Sequence, residues 1–203
     1  MSEHEAVAGE REQYQFQAEI QQVLHILIHS LYTHREIFLR ELVSNASDAL
    51  SRVQFEMLTN QTVRDPEAEL AITLEVDKDA RVIRISDTGV GLTHDEMIKN
   101  LGTVAQSGAK AFLQQIKAGN PSSGSEIIGQ FGVGFYSVFM VADEVRVTSL
   151  SYQPDATAWR WTSHGEATYT IEAAEREQRG TTIEVVLKED AAEFLDDWKI
   201  DQI

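Results

Sequence analysis

Residues 35–52 constrain the fold of this chain more than any other stretch, because they read as one long helix with two distinct faces. The apolar residues recur at spacings of three and four, so they form an arc that a folded protein buries against its core. That arc consists of Phe38, Leu42, Ala46, Ala49 and, just beyond the stretch, Val53. The pattern therefore predicts a helix packed lengthwise on the core.

A second, polar arc runs beside the first and is about 60° wide at roughly 100° per residue. It contains Glu41, Asn45, Asp48 and Arg52. A carboxylate followed one turn later by a carboxamide suits a general base next to an oxygen ligand for Mg²⁺. A partly exposed helix without any site is the alternative that this stretch alone leaves open.

The glycine distribution is the second strong signal, because nine of the 12 glycines lie between Gly89 and Gly134. Asp87 ends a predicted strand, and Gly89 and Gly91 after it allow a sharp turn and the close approach of a flat ligand. A buried aspartate there can accept a hydrogen bond from the exocyclic amine of adenine. Taken alone, residues 87–93 favour an ordinary Asp-x-Gly turn.

The third signal is a second glycine cluster, Gly129, Gly132 and Gly134, which directly precedes a predicted apolar helix. Free N–H groups and the positive end of a helix dipole at such a point can bind phosphate. The cluster is neither a Walker A loop nor a dinucleotide-binding fingerprint, and it gains weight only beside the other two signals. Between them, residues 100–127 are polar and glycine-rich, which predicts a lid; an ordinary surface loop is the alternative that this segment alone leaves open.

Composition excludes several classes of protein. A net charge of −16 disfavours binding to nucleic acid. No apolar run approaches the roughly 18 residues of a membrane span, and the acidic first residues do not resemble a signal peptide. The absence of cysteine fits a reducing compartment, so we expect a cytoplasmic protein.

The remaining patterns predict an α/β fold, in which helices pack on a β-sheet. Expected helices span residues 18–31 and 93–100, a hairpin spans 70–76 and 81–86, and further strands span 144–150, 158–162, 167–171 and 181–187. We expect one domain, 1–203, with a flexible arm at 1–13 and the start of a linker near 190–203.

Four ordered motifs, at residues 41–50, 87–93, 100–108 and 128–137, together resemble the heat-shock protein 90 chaperones, most closely the bacterial HtpG type. The likeness is to the N-terminal ATPase domain of that family. It implies the two-layer α/β sandwich of the gyrase, chaperone, histidine kinase and MutL ATPase superfamily. In that fold, helices cover one face of a mixed, mostly antiparallel sheet.

The resemblance also implies a role for each matching residue. Glu41 would be the general base and Asn45 would ligate Mg²⁺ on the triphosphate of ATP. Asp87 would read the adenine amine, with Gly91 and Thr181 contacting the base through ordered water. The remaining predicted nucleotide-binding residues are Leu92, Asn100, Leu101, Gly132, Val133, Gly134 and Phe135. Gln106 stands where many relatives carry lysine, and Lys110 is a possible substitute.

By the same resemblance, the ligands are ATP or ADP with Mg²⁺, and the longer protein is a homodimeric chaperone that binds unfolded or partly folded clients. The isolated domain would be a monomer that hydrolyses ATP slowly. Two alternatives stay open: a nucleotide-gated binding module with negligible turnover, and a histidine-kinase-like or MutL-like ATPase domain.

Overall fold

The computed structural model describes residues 11–30, 35–60, 62–102 and 133–203. The predicted lid and the glycines Gly129 and Gly132 lie outside these residues, apart from the first three positions of the lid. The helices are α1 (Ala18–Ser30), α2 (Ile37–Thr59), α3 (His94–Leu101) and α4 (Asp197–Asp201), with 3₁₀ helices at Gly134–Met140 and Glu189–Leu195. The strands are β1 (Glu12–Gln15), β2 (Ile72–Asp77), β3 (Val82–Asp87), β4 (Ala142–Leu150), β5 (Ala158–Ser163), β6 (Thr168–Ala174) and β7 (Gly180–Leu187).

The strands form one seven-stranded sheet in the order β1-β6-β5-β4-β7-β3-β2. Every pairing between these described strands is antiparallel. The predicted hairpin is β2–β3, and β7, the last strand in sequence, lies between β3 and β4 in the middle of the sheet. The sheet therefore joins an early hairpin to a later meander through a strand that comes after both.

Helix α2 packs on this sheet through the apolar arc that the sequence predicts. Phe38, Leu42 and Val53 are fully buried and Ala46 nearly so, while Ala49 is half-buried. Helix α1 contributes Ile20, Val23 and Leu24 to the same core. The predicted α/β sandwich, with helices over one face of a sheet, is confirmed.

The segment after Gly134 differs from the predicted apolar helix, because it is a 3₁₀ helix of seven residues. The N–H of Tyr136 donates to the carbonyl of Val133 at 3.0 Å. The buried hydroxyl of Ser137 donates to the carbonyl of Gly134 at 2.6 Å, within the same turn. Six of its seven residues are buried. A 3₁₀ helix has hydrogen bonds between residues three apart, and proteins use it in short segments.

None of the helices in the described ranges is long and apolar enough to cross a membrane.

Candidate functional site

A cavity of about 430 Å³ opens between α2 and the sheet. Its walls come from α2, from the end of β3 with the turn that follows, from the end of α3, from the 3₁₀ helix at Gly134, and from β4 and β7. The polar residues that line it are Glu41, Asn45, Asp48, Arg52, Asp87, Asn100 and Thr181. The cavity thus brings together side chains that are up to 140 residues apart in sequence.

All four residues of the polar arc of α2 line this cavity. The helix places them there because the neighbouring apolar arc is buried on the core, which turns Glu41 and Asn45 toward the space above the sheet. Burial raises the pKa of the Glu41 carboxyl above its usual value. A carboxylate with a raised pKa is a stronger base than an exposed glutamate.

Gly134 faces Glu41 across the end of the cavity. A Cβ built on Gly134 would lie 1.9 Å from Oε2 of Glu41 and 2.7 Å from its Cδ. Only a glycine therefore lets this carboxylate lie against the first turn of the 3₁₀ helix. Phe135, the next residue, lines the cavity as well.

Asp87 lies at the end of β3 and is only 6% exposed. Its Oδ1 accepts a hydrogen bond from the N–H of Gly89 at 2.8 Å. Burial raises the pKa of the Asp87 carboxyl, and the N–H of Gly89 and the guanidinium of Arg176 are the leading influences in the opposite direction. An acceptor in this position suits an amine donor on a ligand.

The turn after Asp87 requires glycine at position 91. Gly91 has a φ of +62°, and a Cβ there would lie 2.0 Å from the carbonyl oxygen of Leu150. This close approach brings the turn against β4, where the N–H of Leu92 donates to Oγ of Ser149 at 2.8 Å. The backbone at the mouth of the cavity is therefore held by the neighbouring strand.

Ser149 links this turn to Thr181. Its hydroxyl oxygen lies 2.8 Å from Oγ1 of Thr181 and donates to the carbonyl of Gly180 at 3.0 Å. Because the single proton of Ser149 goes to Gly180, Thr181 donates to Ser149 and keeps acceptor capacity for the cavity. Asp87 and Thr181 are also paired across β3 and β7, so two acceptors lie side by side.

Most of the predicted nucleotide-binding residues line the cavity. They are Asn45, Asp87, Gly91, Leu92, Asn100, Leu101, Gly134, Phe135 and Thr181, together with the predicted base Glu41. Val133 does not line it, since its side chain is fully buried in the core. Gly132, Gln106 and Lys110 lie outside the described residues.

Sequence reasoning missed Ser149, Arg176 and Arg179, the last two lying behind Asp87. The one available signal was an arginine next to a glycine at the start of an apolar strand, and that signal does not indicate which turn the arginine contacts.

The donor set of the cavity fits Mg²⁺ that arrives with a phosphate ligand. Within the described residues, no group of three or more His, Cys, Asp or Glu side chains could hold a metal ion by itself. A carboxamide such as Asn45 can supply one oxygen, and Mg²⁺ commonly takes its other ligands from phosphate and water. A nucleotide-borne ion suits these residues better than a protein cage.

Comparison with known proteins defines the class. Residues 32–191 match the family described as Histidine kinase-, DNA gyrase B-, and HSP90-like ATPase, and the chain belongs to this family. Its fold is therefore that of an ATPase domain of this family.

Individual relatives show which proteins of this family the chain is similar to. The chain is 51% identical to the Chaperone protein HtpG of Chlorobium phaeobacteroides over 96% of its own length and 31% of that protein. It is 52% identical to the HtpG of Geobacter metallireducens, over 93% of this chain and 29% of the relative. The HtpG of Myxococcus xanthus is 48% identical, over 95% and 30% respectively. The resemblance to heat-shock protein 90 chaperones of the bacterial HtpG type is confirmed, and the chain spans about a third of the length of these relatives.

Proposed function

We propose that this chain binds ATP and ADP together with Mg²⁺ and hydrolyses ATP as the ATPase domain of a molecular chaperone. The observation that carries the proposal is that one cavity is lined both by the buried acceptor Asp87 and by Glu41 and Asn45 of α2. The residue that would bind adenine and the pair that would act on the phosphates therefore line the same cavity.

Adenine binds at the Asp87 end of the cavity. The Asp87 carboxylate accepts from the exocyclic amine, and Thr181 offers an acceptor to an ordered water beside the ring. Leu92 and Leu101 provide apolar contact to the faces of the base. Guanine carries a carbonyl where adenine carries this amine, so the same carboxylate repels it.

The phosphates lie toward Gly134, where the chain enters the 3₁₀ helix, and backbone N–H groups of residues 132–135 bind them. Mg²⁺, when bound, neutralises phosphate charge and polarises the phosphoryl group. Asn45 contributes one ligand oxygen to it. Glu41 accepts the proton of the water that adds to the γ-phosphorus, while the bond from that phosphorus to the β,γ-bridging oxygen breaks and ADP leaves. The raised pKa of Glu41 favours this proton transfer.

Turnover by this chain alone is slow. Among the described residues that line the cavity, Arg52 is the sole lysine or arginine, and it lies three turns along α2 from Glu41. An arginine that reaches the γ-phosphate is worth roughly 10³–10⁵ in rate. In the family that this chain resembles, such an arginine comes from a following domain, so a longer protein should be faster.

The proposals on domain organisation, oligomeric state and clients rest on the resemblance to the chaperone family. Residues 1–203 act as one nucleotide-binding domain, with a flexible arm at 1–13, a lid at 100–127 and a linker beginning near 190–203. In the longer, homodimeric protein, nucleotide-driven changes act on unfolded or partly folded clients in the cytoplasm. The domain by itself is a monomer.

Calorimetric titration with ADP and Mg²⁺ tests the binding, and GDP is the matched control ligand. We expect ADP to bind and GDP to bind at least tenfold more weakly, the equivalent of about 1.4 kcal/mol. Equal affinity for the two nucleotides would overturn the adenine assignment. Phosphate release above that of a Glu41→Gln variant separates an ATPase from a binding module that never turns over.

A further inference from the structure

Two arginines lie behind the end of β3 and outside the residues that line the cavity. Arg176 and Arg179 belong to the connection between β6 and β7. Arg179 is fully buried and Arg176 is partly buried, and burial lowers the pKa of both guanidinium groups. A buried guanidinium is costly unless hydrogen bonds and nearby carboxylates compensate for the lost hydration.

Each arginine has one hydrogen bond to the same turn, and Arg176 also donates to the carbonyl of Gln178 and to Oγ1 of Thr182. Nη2 of Arg176 donates to the carbonyl of Asp87 at 3.0 Å, and Nη1 of Arg179 donates to the carbonyl of Thr88. Two guanidinium groups therefore hold two successive carbonyls. These carbonyls belong to the residue that we assign to adenine recognition and to its immediate neighbour.

Hydrogen bonds alone do not compensate for the burial of the Arg179 guanidinium. Its Nε and Nη2 have no hydrogen-bond partner among the described residues, although a neutral side chain could have filled the same space. Asp65 and Asp87 are the carboxylates that act on its charge. Asp65 also accepts from the backbone N–H of Arg179 at 3.0 Å, so the arginine is anchored where its charge acts on Asp87.

We propose that Arg176 and Arg179 are positioning residues for base recognition, which hold the Asp87–Thr88 turn in place and set their positive charges beside the Asp87 carboxylate. The inference rests on the proposed function, since it assigns two further residues to the adenine end of the same site. Neither arginine touches the ligand; both act through Asp87.

Ionisation matters because only the carboxylate is purely an acceptor. A protonated Asp87 would carry an O–H donor that can meet the amine of adenine donor to donor. Burial is the largest influence raising the pKa of Asp87, and the two arginines act against it. Among the described residues, the other charged groups that line the cavity are Glu41, Asp48 and Arg52 of α2.

The test measures ADP affinity by calorimetry between pH 5.5 and pH 7.5 for the parent chain and four variants. Arg176→Gln removes the charge and the contact, whereas Arg176→Lys keeps the charge and loses the planar fork. Arg179→Lys replaces the fully buried arginine with another basic side chain. Arg84→Gln is the matched control, because Arg84 pairs with Glu184 at 3.0 Å on the same strand as Asp87 and its loss changes the net charge equally.

We expect Arg176→Gln to lose affinity at pH 5.5 at least about threefold more than at pH 7.5, relative to the parent. Phosphate protonation is common to all the proteins and cancels in this ratio. Arg176→Lys should retain the parental pH profile at a uniformly lower affinity, and Arg84→Gln should match the parent throughout. Because a fully buried lysine loses its charge more readily than a buried arginine, Arg179→Lys should weaken binding and bring the acid loss to higher pH.

An unchanged pH profile in Arg176→Gln, with ADP still bound by the parent, would overturn this inference and leave the proposed function intact. A shift of equal size in Arg84→Gln would also overturn it, because the effect would then come from net charge alone. Failure of the parent to bind ADP at any pH would instead overturn the proposed function. If Arg179→Lys does not fold, the two Arg176 variants still decide.

Discussion

The carboxylate of Glu41 lies against Gly134 so closely that the smallest side chain at position 134 would collide with it, at 1.9 Å from Oε2. The obstructing atoms are the far end of a flexible side chain rather than backbone. Gly134→Ala should therefore fold and displace the carboxylate. We expect ATP turnover to fall by more than tenfold, with a smaller loss of ADP affinity, as measured by phosphate release and calorimetry.

A double variant makes this prediction sharper. If Gly134→Ala acts by moving Glu41, then adding it to Glu41→Gln should cost little further activity, because residues that act as a unit are not additive. A full additional loss in the double variant would show that Gly134 acts independently of the carboxylate.

Glu41→Gln itself should lower turnover by roughly 10²–10⁴, the usual range for a lost general base, and leave nucleotide affinity within a few fold. Glu56→Gln is a matched control, since Glu56 lies on the same helix but outside the cavity lining. Comparable turnover in Glu41→Gln and the parent would refute the assignment.

The pH dependence of turnover follows from the same residue. A general base works only when it is deprotonated, so turnover should fall as the pH drops through the pKa of Glu41. Burial raises that pKa, so the acid limb should lie above the range of an exposed glutamate. A pH–rate profile checks this, and the residual activity of Glu41→Gln should lack that limb.

Asp87→Asn should weaken ADP binding by about tenfold to several hundredfold, the cost of an unmet charge-assisted hydrogen bond. The N–H of Gly89 already donates to Oδ1, so the amide of an asparagine would keep its oxygen there and present its NH₂ to the cavity. That group opposes the adenine amine but suits the carbonyl of guanine.

The preference for ADP over GDP should therefore shrink or invert in Asp87→Asn, as titration with both nucleotides would reveal. Asp77→Asn at the end of β2 is the control, because its Oδ1 accepts from the N–H of Ala80 and an amide can do the same. If Asp87→Asn kept the parental preference for ADP over GDP, base recognition would depend on another residue.

Thr181→Val should reduce ADP affinity several-fold, since it removes an acceptor from the cavity and a hydroxyl partner from Ser149. Thr181→Ser keeps the hydroxyl and should bind nearly as well as the parent. Equal affinity for Thr181→Val and Thr181→Ser, measured by calorimetry, would exclude a role for this hydroxyl.

The parts of the site that sequence could predict are those set by local periodicity. Glu41 and Asn45 share a helix, so their common face follows from 3.6 residues per turn. The Asp87 turn likewise follows from a hairpin and two nearby glycines. Both predictions depended on residues within a few positions of one another.

Long-range pairing explains what could not be predicted. Nothing in the pattern of residues 180–187 indicates that this strand lies between β3 and β4. Without that neighbour relation, the contact of Arg176 with Asp87, 89 positions apart, has no local signature. Ser149 was missed for the same reason, since its partner Thr181 is 32 positions away.

The central place of β7 has a consequence for the newly made chain. Until residues up to about 187 have left the ribosome, β7 is not available to pair with β3 of the hairpin and β4 of the meander. Until then Thr181 is not in place and the pocket is not closed. At roughly 5–20 residues per second, several seconds pass between the synthesis of Glu41 and that of β7. During that interval the apolar arc of α2 has no completed sheet to cover it, so a protein of this class would itself depend on protection while it is being synthesised.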